Sequence, residues 1–298
     1  MGYMKIVNIY KCKEIFTFKE ICAMEKIHGT STNVSLSDGT LKFYCGGETQ
    51  KTFEPLFDKD FLLEELTAIL KENNWQNIKI HGEAYGAKQQ AMFKTYGPKL
   101  KFIVFDIRVD CGLPTNKFLD VLDAEKLTGR LKLEFVPYVI GPCTVEFVDE
   151  QCGLDSVQAV RNGCGEGKIR EGIVCRPLVE SVLSNGDRAI CKHINGPYRE
   201  TMNKRPIGPI VEKLKIFTEA EEIANEWVTE NRLNHVSSKF LHDKENKLIE
   251  KSDIGKLIDN MIADIKLEAG DEIVWSSEVI RVVRQKSGAL IGAFVRKQ

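Results

Sequence analysis

The chain has 298 residues, of which 43% are hydrophobic, 29% charged and 8% aromatic. That is an ordinary balance for a globular protein, with room for one large domain or a large one and a small one. No run of about 18 apolar residues occurs, so no membrane span is expected, and the N-terminal MGYMKIVNIYKCKEIF lacks the apolar core of a secretory signal. The cysteine count of 9 is odd, with no C-x-x-C spacing. This argues against a zinc ribbon or a disulfide scaffold and for reduced thiols in a cytoplasmic setting. The formal net charge is −1, and the last third carries 16 basic against 16 acidic residues. The bulk basic excess common in nucleic-acid binders is missing, so any polynucleotide has to be met by a local patch.

In chain order, short apolar runs bounded by turn residues predict strands at Asn33–Leu36, Leu41–Tyr44, Ile78–Gly82, Lys101–Ile107, Leu133–Tyr138, Ile169–Cys175 and Ala189–Ile194. Between them, Phe61, Leu62, Leu66, Ile69 and Leu70 recur at helical spacing within Lys59–Asn73, and Leu154–Arg161 is a second candidate helix. Strands with interspersed helices predict an α+β fold. The character changes after Asn203–Pro209 (NKRPIGP), whose two prolines make a natural linker. Beyond it, Thr218–Arg232 carries Ala220, Ile223, Ala224 and Trp227 on one face. Ser252 is placed to cap a helix through Ile254, Leu257, Ile258, Met261, Ile262 and Ile265, with Gly270 as its stop, and Asp271–Gln285 follows as a third helix. The expected division is therefore a domain over residues 1–203 and a small helical domain over 204–298.

Glu25-Lys26-Ile27-His28-Gly29-Thr30 precedes a predicted strand. A lysine nucleophile needs a neutral amine, which neighbouring cations or burial can provide, and a glycine three positions on lets the backbone approach a bound nucleotide. K-x-x-G alone is a common accident whose bland reading is a surface lysine before a turn. Further pieces follow in order on separate strands: Phe105-Asp106, Glu171-Gly172 through Arg176, and Lys192 isolated among apolar neighbours. A nucleotidyl-transfer pocket needs that inventory, namely a nucleophile, an aromatic for the base, carboxylates near a metal, and cations for phosphate.

With those residues in view, EKIHGT resembles the nucleophile motif of the RNA ligase 2 family of ATP-dependent polynucleotide ligases. His81-Gly82-Glu83-Ala84-Tyr85-Gly86 resembles the family's glutamate-bearing element, Phe105-Asp106 its aromatic-Asp motif, REGIVCRP its E-G-x-V-x-K-P motif, and KHINGPYRE, residues 192–200, its last motif. His28 stands where DNA ligases and capping enzymes usually carry Asp. Four departures bear on substrate choice. Ile194 replaces the second lysine of the last motif, and Arg176 replaces a lysine, a fork in place of a point charge. Ser31 stands where the family has Asn, with Asn33 two residues on. No arginine occurs around Lys42-Phe43-Tyr44-Cys45-Gly46, where Lys42 is the nearest substitute.

The resemblance implies a nucleotidyltransferase domain, with ATP-grasp-like antiparallel sheets around a nucleotide pocket, followed by the helical domain. It implies attack of Lys26 on ATP, transfer of AMP from the lysine to a 5′-phosphate, and sealing by a 3′-hydroxyl. Lys26, Glu171 and Lys192 would be catalytic. Glu25, Ile27, His28, Gly29, Glu83, Phe105, Arg176 and Lys192 would bind the nucleotide. Asp106 and Glu171 would hold Mg²⁺ or Mn²⁺. The expected partners are RNA, and DNA as an alternative, at strand ends in a nicked duplex. A monomer in the cytoplasm is expected, with viral or phage origin left open. The helical region would engage nucleic acid through Lys204, Arg205, Arg281, Arg284 and Lys286. The rival readings are a DNA-sealing relative, a capping guanylyltransferase and a non-catalytic nucleic-acid binder. DNA ligases and capping enzymes usually append a β-barrel, which the helical periodicity after residue 204 speaks against; a ligase of this same type acting on DNA ends is kept as the alternative.

Overall fold

The computed structural model describes residues 2–46, 50–112, 117–198, 220–242 and 248–296. The chain divides into two compact units, Met1–Asn195 and Gly196–Gln298. The linker Asn203–Pro209, with Lys204 and Arg205, and the end of the last motif at Glu200 lie outside the described residues. No helix among the described residues is long and apolar enough to cross a membrane.

The first unit opens with strands β1 (Val7–Asn8), β2 (Glu20–Glu25), β3 (Thr30–Ser37) and β4 (Thr40–Cys45). Helices α1 (Gln50–Phe53) and α2 (Lys59–Asn73) follow, then β5 (Asn77–Tyr85), α3 (Phe93–Tyr96), β6 (Lys101–Asp110) and β7 (Lys117–Phe118). It continues through α4 (Val121–Arg130), β8 (Tyr138–Pro142), α5 (Val145–Gly153) and α6 (Val157–Arg161), and ends with β9 (Gly172–Arg176) and β10 (Cys191–Ile194). These strands build two five-stranded sheets, in the orders β1-β10-β9-β2-β8 and β4-β3-β5-β6-β7. Among the described residues, β1–β10 is the one parallel strand pair, beside an isolated parallel bridge between Val104 and Phe135. The expected α+β class with antiparallel sheets is observed.

Local chemistry accounts for the clearest element. Helix α2 has the predicted bounds because Asp58 caps it, its carboxylate accepting from the Phe61 N–H at 3.1 Å, and because Asn74 stops it in the left-handed region. Its Leu62, Leu66 and Ile69 share a core with Val34, Leu36, Ile78 and Ile80 of β3 and β5, each such side chain contributing about 1.5–3 kcal/mol.

Three local expectations are corrected, and one strand carries no sequence signal. Residues Leu133–Tyr138 do not form one strand: Phe135 makes an isolated bridge to Val104, and regular pairing starts only at Tyr138. β2, which delivers Lys26, carries no period-2 signal because Ile21, Cys22, Ala23, Met24 and Glu25 are all buried; a strand enclosed on both faces reads as a continuous run. The predicted helix Thr218–Arg232 breaks into α7 (Ala220–Trp227) and α8 (Glu230–His242). Ser252 does not cap the next helix. A reciprocal capping box of Glu250 and Asp253 closes a 3₁₀ turn ahead of α9 (Ile254–Ala269).

The second unit is helical, and α10 (Ser277–Arg296) runs beyond the predicted Gln285. Trp227, Leu257, Met261, Ile265, Val279, Val283 and Ile291 fill its core. Arg232 is wholly buried, its Nη1 2.5 Å from Asp264 and its Nε donating to the Trp227 carbonyl at 3.1 Å. The three described candidates for a basic patch are engaged with their own unit. Arg284 pairs with Asp259 at 2.7 Å, Arg281 lies 3.9 Å from Glu278, and Lys286 donates to Asn225.

His81 in β5 is a buried polar residue whose two ring nitrogens have no hydrogen-bond partner among the described residues. Burial, opposed by Asp106 and reinforced by Lys79, Arg108 and Arg188, pushes the imidazole down to about 4. Between the ordinary value near 6.5 and about 4 the unfolded chain binds more protons than the folded one, so stability falls as pH falls through that window. The loss amounts to about 3 kcal/mol when complete. His81→Phe removes the proton-binding group and should flatten the dependence of the thermal midpoint between pH 7 and pH 4.5. Equal slopes in the two proteins would refute this.

Candidate active site

Lys26, Ile27, His28 and Gly29 form the connection by which the chain leaves β2 in one sheet and enters β3 in the other. The connection is pinned on both sides: the Glu25 N–H donates to the Pro137 carbonyl at 2.8 Å, and the Lys26 N–H to the Gly172 carbonyl at 3.0 Å. Gly29 is required here for space. A Cβ on it would lie 2.3 Å from the Ala84 carbonyl oxygen, so the glycine of K-x-x-G lets two backbones meet. Gly172, beside Glu171, makes an equally close approach, its Cβ position lying 2.1 Å from the His193 carbonyl oxygen. This contact seats β9 against β10.

At this junction four of the predicted residues converge. Lys26 Nζ donates to Glu171 Oε1 at 2.7 Å, and His28 Nδ1 lies 3.0 Å from Glu171 Oε2. Burial would raise the Glu171 carboxyl; the charges of Lys26 and His28 overcome that and hold it at about 2. Glu83, on β5 opposite Ser31, has the reverse balance. Burial dominates, Lys26 opposes it and Glu171 adds to it, so the carboxyl is pushed up to about 8 even as it accepts from the Gly29 N–H. The two acids flanking Lys26 are thus one charged and one neutral near pH 7, a division common where one site holds and moves protons. Lys192 stands on β10 directly across from Val174 of β9.

Phe105 is delivered by a β-bulge. His81 pairs with Asp106 and Gly82 with Val104, so Phe105 has no cross-strand partner and its half-buried ring is re-aimed. Other expected residues are spent elsewhere. Ile27 is in the core, and the Glu25 carboxylate accepts from Ser156 Oγ at 2.5 Å and from the Gln158 N–H at 3.2 Å, at the start of α6. Both side chains are thus taken up by contacts within the protein. Arg176 and Asp106 meet at 2.9 Å in a buried cluster with Arg188, Glu180 and Tyr3. Burial would raise the Asp106 carboxyl, but Arg176 and Arg188 hold it below its ordinary range. Both its oxygens bind guanidinium groups.

Tyr3, Glu180 and Arg188 carry no motif or periodicity that marks them in the sequence. Tyr96, whose hydroxyl accepts from the His28 N–H at 3.4 Å, is likewise silent there.

Gly172→Ala tests the close packing of β9 on β10. It should lower the thermal midpoint by the equivalent of about 1–3 kcal/mol, as overpacking does, because β10 cannot stay in register with a methyl 2.1 Å from its His193 carbonyl. An unshifted midpoint would show that the two strands can part without cost.

Known proteins share this fold. Among solved structures, the chain is similar to an apo mutant of a Naegleria gruberi RNA ligase at 15% identity and a TM-score of 0.50, over 66% of this chain and 57% of that one. Two further mutants of a Naegleria gruberi RNA ligase, each with ATP and Mn, match at 16% and 18% identity with the same score and coverage. The chain thus spans 57% of the length of these relatives. At such identity the likeness concerns the fold. The model of the RNA ligase family matches residues 19–194, from the approach to β2 through the end of β10. That segment holds both Lys26 and its carboxylate partners, and the chain belongs to the RNA ligase family.

Proposed function

We propose that the protein is an ATP-dependent RNA ligase that seals a 3′-hydroxyl to a 5′-phosphate through AMP bound covalently to Lys26. The observation that carries this reading is the Lys26 amine at the hinge between two sheets, 2.7 Å from a buried, ionised Glu171. A flexible lysine becomes a usable nucleophile when one partner fixes its Nζ and a second acid nearby can share its proton. Here Glu171 orients Nζ, and Glu83 supplies the neighbouring carboxyl that burial brings near physiological pH.

In the first step Lys26 Nζ attacks the α-phosphorus of ATP, the P–O bond to pyrophosphate breaks, and the lysine is left as a phosphoramidate with AMP. In the second, an oxygen of the RNA 5′-phosphate attacks that phosphorus and Lys26 leaves as an amine, giving an adenylylated end. In the third, the 3′-hydroxyl attacks the end phosphate and AMP departs. Negative charge gathers on phosphate oxygens throughout, so catalysis is chiefly electrostatic and positional. Lys192 and His28 are the cations we assign to it, and Phe105 the ring that stacks on adenine.

The ATP-and-Mn complexes of the Naegleria ligase support a divalent cation here. Among the described residues no group of three His, Cys, Asp or Glu side chains forms a cage. Glu171 and Glu83 beside Lys26 fit an ion held mainly by water and by the substrate phosphates. Asp106 does not fit, because its oxygens already face two arginines. Mg²⁺ or Mn²⁺ would supply neutralisation of phosphate charge. The helical unit we assign to engagement of the nucleic-acid strand ends.

Lys26→Ala should form no protein–AMP adduct with radiolabelled ATP while remaining folded, with a thermal midpoint lowered by the loss of its ion pair to Glu171. Wild type should label with ATP and not with GTP. An adduct on the alanine variant, or wild-type labelling by GTP alone, would sink the assignment. Phe105→Leu should raise the KM for ATP in the same assay with little change in midpoint, and an unchanged KM would return Phe105 to the core.

A further inference from the structure

Behind Phe105 lies a cluster of buried charge that the proposed chemistry does not use. Arg188, four residues before Lys192, donates from Nη1 to Asp106 Oδ2 at 2.7 Å and to the Tyr3 hydroxyl at 2.6 Å. Its Nε and Nη2 bind the two oxygens of Glu180 at 2.5 and 2.8 Å. Its guanidinium carbon sits 3.6 Å from the centre of the Phe118 ring, a stacked contact open to arginine and not to lysine. Tyr3 donates its hydroxyl to Asp106 Oδ2 at 2.5 Å. The same tyrosine ring meets Phe105 edge-on, centroids 4.9 Å apart and planes at 78°, and meets His81 at 4.9 Å.

We infer that Arg188 and Tyr3 are positioning residues for the nucleobase, a rear support that fixes the ring of Phe105. At the bulge Phe105 has no cross-strand neighbour to set its rotamer, so its orientation depends on the groups that touch the ring. Tyr3 touches it, and Tyr3 is itself held by a hydroxyl that donates to Asp106 and accepts from Arg188. Asp106 is the residue next to Phe105, so Arg188 grips both the neighbour on the backbone and the neighbour across the ring. The same arginine is tied through Glu180 to Arg176 on β9, which joins the base-facing end of one sheet to the strand that follows Glu171 in the other. A site built to hold a planar base at one angle needs such support outside the ring that makes the contact.

This inference rests on Phe105 stacking against adenine, and the test separates the two. In the full-length protein, ATP would be titrated in the self-adenylylation assay for wild type, Arg188→Met, Tyr3→Leu, Phe105→Leu and the two doubles that contain Phe105→Leu. Arg188→Met and Tyr3→Leu should each raise the KM for ATP about tenfold, the scale on which contacting residues couple, with the saturated rate near wild type. Each double should have a KM no higher than Phe105→Leu alone, because both act through that ring. If the single effects multiply in the doubles, Arg188 and Tyr3 do not work through Phe105. A fall in thermal midpoint with unchanged KM would show a structural role only. Tyr3→Leu carries the decision if Arg188→Met does not fold. Wild type that forms no adduct would instead overturn the proposed function, whatever the variants do.

Discussion

A carboxylate withdrawn from water must be given a partner or it takes up a proton, and Glu171 is given two. It is buried, yet Lys26 and His28 keep it ionised. Those two residues lie on the single connection that leaves one sheet and enters the other, so the ion pair ties that connection to the strand after Glu171. Removing any member would strand a charge in a poorly solvated place, which commonly costs about 3–5 kcal/mol. The site and the joint between the sheets are therefore one feature.

Glu83 lacks that compensation and is pushed the other way, to about 8. The contrast between the two acids does not come from their type. Glu171 faces Lys26 and His28 at close range, while Glu83, on β5 against β3, senses Lys26 against the repulsion of Glu171. A lysine between one ionised and one neutral carboxyl has an anchor on one side and an uncharged neighbour on the other.

A second buried charge system, around Asp106, uses the same physics for rigidity. Two arginines and two carboxylates cancel in pairs, and the forked guanidinium geometry lets Arg176 reach Asp106, Glu180 and the Leu119 carbonyl at once. Lysine at position 176 could not make that set of contacts, which explains arginine there without reference to phosphate. The cluster also leaves Asp106, expected beside a metal, with both oxygens facing arginines.

Spacing and composition determined a good deal of this. The α+β class, helix α2 to the residue, the helical last third, and the order of Lys26, Glu83, Phe105, Glu171 and Lys192 along the chain are all legible in the sequence. Periodicity and turn chemistry act over a few residues and leave their mark locally. Tertiary structure alone decided the rest. Asp106 and Arg176 are 70 positions apart, Tyr3 and Arg188 are 185 apart, and nothing local to either member of a pair records the other. β2 was silent because burial on both faces erases alternation, and the bulge that frees Phe105 depends on the register of β5 and not on the residues around 105. Even the glycines, legible as glycines, needed the fold to show that Gly29 and Gly172 are small because another strand's carbonyl oxygen occupies the space where a side chain would begin.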